Sequence, residues 1–330
     1  MKIAFVGVGH WHTPLYLEPL LQLPDATVVG VSDEDFPKAQ AYADRLGCLA
    51  ARGVEELVEK ARPDFVFVLG QHADMAAASA FLIEAGIPFM VEKPAGLDEA
   101  EVARIAAAAE AMKIFAAVPL VFRQSGFMQA IAEHAPGEKV LYAGFKFIAG
   151  PSARYREADC LWMFDRARAG GGVMTNLGVH FLDLAKLLLG DDVAVARTTL
   201  GNIAGEGDVE DYAAVTLRAG EKACFIETAY LYPAPGGIFD MHYSVRTEGA
   251  YFAAVGPGLI EISDMAGRRR TVPGSTTNMP IYPEFVADVL SRVRDGRAPV
   301  ADLGDMAQVM RLLDAVYAAD PEEMQALRKG

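Results

Sequence analysis

The chain has 330 residues, of which 52% are hydrophobic and 22% charged, and it carries a net charge of −14. This length and composition predict two folded domains rather than a disordered chain, and the acidic balance argues against a nucleic-acid or membrane partner. The three cysteines are widely spaced and form no CxxC pair, so neither a zinc knot nor a disulfide framework is indicated.

The expected location is the cytoplasm. Gly7, Gly9 and two histidines interrupt any basic-then-apolar signal pattern at the N-terminus. No uncharged apolar stretch is long enough to cross a bilayer.

The first 120 residues alternate short apolar runs with helical patterns. The runs are rich in Val, Ile and Phe, as is typical of parallel strands buried on both faces. Strands are predicted at residues 3–6, 27–31, 65–69, 89–91 and 114–118, and helices at 35–46, 54–61, 73–85 and 98–112. This alternation predicts an α/β fold in which residues 1–121 form a doubly wound, Rossmann-type domain.

The rhythm changes after residue 121. Helices are predicted at 127–133, 172–189, 282–294 and 303–319, and strands with period-two alternation at 193–200, 212–217, 224–231, 242–247 and 251–255. Residues 122–330 are therefore predicted to form an α+β domain with an open, mostly antiparallel sheet. The segment 264–270 predicts a hairpin turn with a solvated basic arm. Because the open sheet needs cover for its apolar side chains, we expect a homodimer or homotetramer.

The loop after the first strand carries part of a dinucleotide-binding fingerprint. Gly7 and Gly9 stand where such loops need a tight turn and a close backbone approach to pyrophosphate, but His12 replaces the third glycine. Thr13 and Pro14 predict a helix N-cap and a first-turn proline, so the helix starts late and no longer needs that glycine. Backbone N–H groups of this loop can still bind phosphate.

Asp33 follows the second strand, within the span where an acidic residue binds the adenosine ribose. No Arg or Lys is expected there to meet a 2′-phosphate, so NAD is favoured over NADP. The alternative is that Asp33 merely caps the next helix. His10, Trp11 and His12 are predicted to line the crevice at the carboxyl end of the first strand. Trp11 is expected to act as a packing lid, and His12 either binds pyrophosphate or substrate or is a structural histidine; a metal site at these residues is not favoured.

Two further stretches carry a resemblance to a known family. They are Glu92-Lys93-Pro94 at a strand end and GGGVMTNLGVHFLD at residues 170–183. Together with Trp162 and Arg123, they make the chain resemble the Gfo/Idh/MocA family of nicotinamide-dependent oxidoreductases over nearly its whole length. The resemblance implies an NAD-dependent dehydrogenase acting on a sugar, an inositol or a sugar acid.

The resemblance also implies the roles of individual residues. Lys93, at the mouth of the crevice and before a cis proline, polarises the substrate hydroxyl, and Glu92 pairs with it or contacts the cofactor. His180 takes the hydroxyl proton, since an imidazole has a suitable pKa, while the glycines let the backbone pass close to nicotinamide or substrate. Arg123, Tyr155 and Asp183 are candidates for substrate contact, with ion-pair, stacking or packing roles as the alternatives.

Asn176 departs from the family pattern, in which an aspartate usually stands at this position, one helical turn before the histidine. An amide can orient a substrate hydroxyl but cannot stabilise an imidazolium by charge. This leaves two alternatives open: lysis or glycoside cleavage in which NAD is reduced and regenerated within one turnover, and a non-catalytic sensor. Both Lys93 and His180 argue against the sensor.

Overall fold

The computed structural model describes residues 1–234 and 239–320. The N-terminal half is built around a six-stranded parallel sheet of strand order β3-β2-β1-β4-β5-β6. Its strands are β1 (Lys2–Val6), β2 (Thr27–Ser32), β3 (Leu49–Ala51), β4 (Phe65–Val68), β5 (Phe89–Val91) and β6 (Ala116–Ala117), and its helices are α1 (Thr13–Leu20), α2 (Phe36–Leu46), α3 (Val54–Ala61), α4 (His72–Glu84) and α5 (Glu99–Met112). The predicted doubly wound fold is confirmed; only the short β3 was not predicted.

The first helix begins late, as its sequence predicts, but with a different cap. The residue before α1 is His12, and Thr13 is already helical, so the threonine does not cap the helix. Pro14 lies in the first turn, and the helix ends at Leu20 directly after Pro19. The loop that carries the two glycines therefore runs on to residue 12.

The second half forms an eight-stranded sheet of strand order β14-β13-β12-β11-β7-β10-β9-β8, in which only β7 and β10 pair in parallel. Its strands are β7 (Val140–Ile148), β8 (Ala194–Gly201), β9 (Tyr212–Ala219), β10 (Lys222–Ala229), β11 (Asp240–Thr247), β12 (Ala250–Gly256), β13 (Leu259–Asp264) and β14 (Arg269–Pro273). The open, mostly antiparallel sheet is confirmed, as is the hairpin that turns at Gly267. The strands β7, β13 and β14 were not predicted; Gly144 and Lys146 interrupt the apolar pattern of the central β7.

The described part of this half also contains the helices α6 (Gly126–His134), α7 (Arg154–Glu157), α8 (Arg166–Ala169), α9 (Val179–Leu189), α10 (Tyr282–Asp295) and α11 (Leu303–Ala318). The predicted helix 172–189 is not uniform, because residues Met174–Gly178 form a π-helical turn that leads into α9. The last two helices return to the first half, where α10 packs on α1 and α11 packs on α5. The two sheets are thereby held around a common crevice.

One stretch within the described residues, Arg166–Leu189, has the length and mean hydropathy of a membrane span. Of its apolar window, 78% is buried inside the fold. We interpret it as a core helix, since the residues of α9 from Val179 to Ala185 are all buried.

Candidate active site

A cavity of about 710 Å³ opens at the carboxyl ends of the parallel strands. It lies between the ends of β1 and β4, which are neighbours in the sheet at the point where the strand order reverses. Ligands of doubly wound folds bind at this point, and the volume falls within the usual range of ligand pockets. Of the residues predicted to bind cofactor, Gly7, Gly9, His10 and Asp33 line the cavity.

The backbone conformation and a close contact both require a glycine at position 7. Gly7 has a φ of +68°, and a Cβ there would lie 2.5 Å from the backbone nitrogen of Gly70. The backbone N–H of Gly9 donates to Asp33 Oδ2 at 2.8 Å. Asp33 Oδ1 accepts from the N–H of Asp35, and it is Asp35 that precedes α2. Asp33 therefore braces the glycine loop at the cavity wall and is not the helix cap.

Basic residues also line this cavity, contrary to the expectation from sequence. Lys38, Arg52 and Arg168 reach it from three different segments. Lys38 Nζ lies 2.7 Å from Asp159 Oδ2 of the second half, and the Arg52 guanidinium lies 4.5 Å from the centre of the Phe36 ring. The carboxylate at Asp33 therefore shares its pocket with cations, which weakens the argument against a 2′-phosphate.

The three ring residues of the loop do not share one role. His10 borders the cavity beside Trp162, at 5.6 Å between ring centres. The Trp11 ring lies between His12 at 3.6 Å and Tyr155 at 5.3 Å, and its Nε1 has no hydrogen-bond partner among the described residues. Trp11 thus packs behind the cavity wall, and neither it nor His12 lines the cavity. The role of Trp11 as a lid stays a prediction.

His12 binds Glu92, which is completely buried. His12 Nδ1 lies 2.6 Å from Glu92 Oε1, which also accepts from the hydroxyl of Tyr16 at 2.5 Å, while Oε2 accepts the backbone N–H of Lys93 at 2.8 Å. Burial alone would raise the pKa of Glu92, but His12 and the charge of Lys93 outweigh burial and hold this pKa below its usual range. Burial lowers the pKa of His12. A neutral His12 therefore donates from Nδ1 to an ionised Glu92.

Lys93 follows Glu92 and points into the second half of the protein. The Lys93–Pro94 peptide bond is cis. The ammonium is buried, and it donates to the side-chain oxygen of Asn176 at 2.5 Å and to its backbone oxygen at 2.8 Å. Burial lowers the pKa of Lys93 to about 8, against the opposing charge of Glu92. A pKa in this range suits a group that exchanges protons near neutral pH.

Asn176 lies within the π-helical turn and connects Lys93 to two tyrosines. Its Nδ2 donates to the hydroxyls of Tyr155 at 2.7 Å and Tyr230 at 2.8 Å. Tyr155 in turn accepts from Nη2 of Arg154 at 2.8 Å. Sequence reasoning did not single out Arg154 or Tyr230; Tyr230 falls within the predicted strand 224–231, whereas the observed β10 ends at Ala229, one residue before it.

His180 lies one helical turn beyond Asn176, and its Nδ1 is buried without a partner among the described residues. Burial and then the charge of Lys93 lower the pKa of His180 to about 3. The expectation that this imidazole has a pKa suited to acid–base work is therefore wrong, because the site is closed to water and already contains an ammonium. Lys93 bonds Asn176, one helical turn before His180, so the same helical segment carries both the lysine's partner and the histidine.

Arg123 and Asp183 form an ion pair with each other. All three guanidinium nitrogens donate: Nε and Nη2 to Asp183, at 2.9 Å and 2.6 Å at their closest, and Nη1 to Asp305 and to the carbonyl of Val300, both at 2.9 Å. We therefore assign Arg123 and Asp183 to this link between α9 and the start of α11, rather than to substrate contact. Of the three substrate candidates, only Tyr155 joins the Lys93 cluster.

The start of the helix that carries Asn176 and His180 rests on Glu210, a residue that sequence reasoning missed. This buried carboxylate accepts the N–H groups of Gly172 and Met174, each at 2.9 Å, and the hydroxyl of Tyr317 at 2.9 Å. A Cβ at Gly172 would lie 1.8 Å from the carbonyl oxygen of Glu210. Gly172 is thus required by packing against the protein itself.

The parallel sheet, the glycine loop and the crevice place the chain in the class of two-domain proteins with an NAD-binding Rossmann fold. Residues 1–118 match the family described as oxidoreductases with an NAD-binding Rossmann fold, and residues 144–248 match the GFO/IDH/MocA C-terminal domain. The two matches together span more than half of the chain. The chain belongs to the Gfo/Idh/MocA oxidoreductase family.

Several curated relatives are named for sugars or sugar nucleotides, and another is a trans-1,2-dihydrobenzene-1,2-diol dehydrogenase of Mus musculus. The chain is 28% identical to UDP-N-acetylglucosamine 3-dehydrogenase of Acidithiobacillus ferrooxidans over 68% of its own length and 65% of the relative's. It is 25% identical to D-xylose 1-dehydrogenase (NADP(+)) 2 of Haloferax volcanii over 91% of both chains. The chain matches four of the curated relatives over only 52% to 65% of their own length. A levoglucosan dehydrogenase solved with NADH and levoglucosan has a TM-score of 0.83 at 16% identity, covering 98% of each chain, and this likeness shows the fold.

Proposed function

We propose that the protein is an NAD-dependent oxidoreductase that interconverts a CH–OH group and a carbonyl on a polyhydroxylated small molecule, such as a sugar, an inositol or a sugar acid. One observation carries the proposal: a buried ammonium, Lys93, follows the carboxyl end of β5, the edge of the sheet where a dinucleotide binds in this fold, and is held there by Asn176, one helical turn before His180. The named activities of the relatives support the substrate class.

The residues of the crevice fit a dinucleotide. Gly7 and Gly9 leave room for the backbone approach that pyrophosphate requires, and the Asp33 carboxylate is held at the cavity wall for ribose hydroxyls. Bound there, NAD supplies the acceptor for the hydride that leaves the substrate carbon. We favour NAD over NADP on the charge of Asp33, although Arg52 and Lys38 line the same cavity.

Cofactor preference is tested by measuring the Kd of NADH and of NADPH. NADH is expected to bind more tightly. Arg52→Gln is expected to weaken NADPH binding and to leave NADH binding almost unchanged. Tighter binding of NADPH by the natural protein would reverse the proposed preference.

In this proposal, Lys93 is the residue that transfers the proton. Neutral Lys93 accepts the hydroxyl proton during oxidation, and the ammonium returns it during reduction, because its pKa of about 8 lies near the working range while that of His180, at about 3, does not. Asn176 holds the lysine nitrogen in place through its two oxygens. Neutral His180 orients the reacting oxygen through a hydrogen bond.

The experiment is to incubate the protein with NAD and a panel of sugars, inositols and sugar acids, and to follow nicotinamide absorbance. At least one member is expected to give NADH, and the reaction is expected to be lost in Lys93→Ala. If NAD binds but no member of a broad panel reacts, the oxidoreductase proposal fails.

Asn176 favours a second candidate, a sensor that binds NAD and a sugar without turnover, because the carboxylate usual at this position is missing. A sensor would bind NAD and a sugar in the natural protein without turnover, so Lys93→Ala would have no turnover to lose. Lysis or glycoside cleavage with internal redox cycling would instead convert substrate without net release of NADH.

We also propose that two copies of the chain pair through the open face of the second sheet. That face holds a groove of about 450 Å³ in which Lys146 and Arg197 lie beside Glu227, so a second copy offers matching charges of both signs. Phe225 and Tyr251 border the groove and are 49% and 38% exposed. Light scattering is expected to give a dimer or tetramer that Phe225→Glu dissociates, and a monomeric natural protein at micromolar concentration would contradict the pairing.

A reducing, cytoplasmic location is proposed on the state of the cysteines. Cys48, Cys160 and Cys224 are all free thiols, and the last two are buried. Fractionation of cells that express the protein checks this, and recovery from an oxidising compartment would contradict it.

A further inference from the structure

Five residues around Lys93 form what we call the cation cluster: Lys93, Arg154, Tyr155, Asn176 and Tyr230. The guanidinium of Arg154 lies over both tyrosine rings, 4.7 Å from the centre of Tyr155 and 4.8 Å from that of Tyr230. Its Nη2 donates to the Tyr155 hydroxyl, which also accepts from Asn176, and Asn176 accepts from Lys93. Two cations are therefore joined through one continuous hydrogen-bond chain.

Within residues 1–234 and 239–320, no carboxylate lies within 4 Å of either cation of this chain. The nearest acidic neighbour of Lys93 in sequence, Glu92, is engaged by His12, by Tyr16 and by a backbone N–H. Asn176 contributes an uncharged amide where a carboxylate would balance one of the charges. The charge of the ionised Glu92 favours the Lys93 ammonium and balances one of the two cations, which leaves one excess positive charge in a largely buried site. Such a charge is unfavourable unless an anion joins it.

The hydrogen bonds of the cluster show the same imbalance. Lys93 has three N–H donors, and Asn176 takes two of them. Tyr230 accepts from Asn176 and from Tyr155, which leaves its own O–H without an acceptor among the described residues. The side-chain oxygen of Asn176 already accepts from Lys93. The hydrogen-bonding positions left over, the third N–H of Lys93 and the O–H of Tyr230, are therefore donors.

We propose that the cation cluster binds a carboxylate group of the substrate, so that the protein acts on a sugar acid, an aldonate or uronate, in preference to a neutral sugar. A carboxylate supplies the missing negative charge and accepts several hydrogen bonds without a proton of its own. A neutral hydroxyl can accept from the same donors but supplies no negative charge to balance the cations. This inference rests on the proposed oxidoreductase function, whose substrate class it narrows.

The test is calorimetry on the full-length protein saturated with NADH, using pairs of ligands that differ in one group: glucose with glucuronate, and galactose with galacturonate. The acid of at least one pair is expected to bind at least about tenfold more tightly than its neutral partner. Arg154→Gln is expected to weaken binding of that acid about 10- to 100-fold and to change binding of the neutral sugar less than about twofold.

Two further variants separate a charge effect from damage to the fold. Arg156→Gln is the matched control, because Arg156 lies two residues away, is half exposed and contacts Phe164 outside the cluster; it is expected to leave the preference intact. Asn176→Asp adds the missing carboxylate within the cluster and is expected to abolish the preference for acids. Arg154→Lys, which keeps the charge, is expected to retain most of it.

Equal or tighter binding of the neutral sugar in both pairs, a preference that survives both Arg154→Gln and Asn176→Asp, or no binding of any acid overturns the proposal. Turnover is measured separately on the same ligands. If acids bind preferentially but none is oxidised, the oxidoreductase function fails while the anion site stands. If only neutral sugars bind and are oxidised, the anion site fails while the oxidoreductase function stands.

Discussion

Replacing Asn176 by Asp changes one buried amide into a carboxylate of the same shape, directly against Lys93. The ammonium nitrogen lies 2.5 Å from Asn176 Oδ1. Coulomb's law gives about 7 kcal/mol for opposite charges at that distance with an effective dielectric constant of about 20, and burial of the new carboxylate offsets part of it. We therefore predict that the pKa of Lys93 rises by about 1–3 units from its present value of about 8.

The consequence for catalysis follows from the role of neutral Lys93. At about pH 8, roughly half of Lys93 is neutral in the natural protein, whereas a rise of about 2 units leaves about 1% neutral, so kcat/KM for oxidation falls about 50-fold. Above about pH 10 the two proteins converge, since both lysines are then largely deprotonated.

Two measurements check this prediction. The first is the pH dependence of kcat/KM for oxidation in both proteins. The second needs no substrate: NMR titration of the lysine ε-carbons, with the Lys93 signal assigned by its loss in Lys93→Arg. Faster oxidation by Asn176→Asp at neutral pH refutes the reasoning, because that is the result expected when His180 accepts the proton beside a new carboxylate. An unchanged titration of Lys93 in the variant also refutes it.

Lys93→Met is expected to lower kcat at least about 100-fold while the Kd for NADH changes less than about threefold, because Lys93 does not line the cofactor cavity; exposed Lys60→Met is the control. His72 and His180 have pKa values of about 3 in the fold against 6.5 when unfolded, so the unfolded chain binds more protons between these values and the free energy of unfolding falls as pH drops through them. The loss is about 4 kcal/mol at about pH 5 for the two together, measured by urea unfolding; constant stability between about pH 7 and 5 would contradict it. Gly172→Ala is expected to destabilise the fold by about 3 kcal/mol or more through the contact with Glu210, whereas Gly256→Ala, which meets nothing within 4 Å, changes stability by less than about 1 kcal/mol.

Local pattern was sufficient to predict most of the fold. The apolar run at Phe65–Val68 predicts a buried strand, and all of its side chains are buried in the structure. Breaks in the pattern explain what was missed: β7 lies at the centre of its sheet, yet Gly144 and Lys146 divide its apolar residues. A central strand is defined by its neighbours on both sides, and these are far away in the chain.

The sequence by itself determined most of the elements, the glycine loop, Asp33, Lys93 and Asn176, because turn chemistry and hydrophobic period depend on neighbouring residues. Only the tertiary structure decided their partners. It brought Arg52 and Lys38 into the cavity, paired Arg123 with Asp183, and placed Arg154 and Tyr230 around Asn176. It also set the pKa values of Lys93 and His180, since burial and the distances between charges depend on how the two sheets close around the crevice.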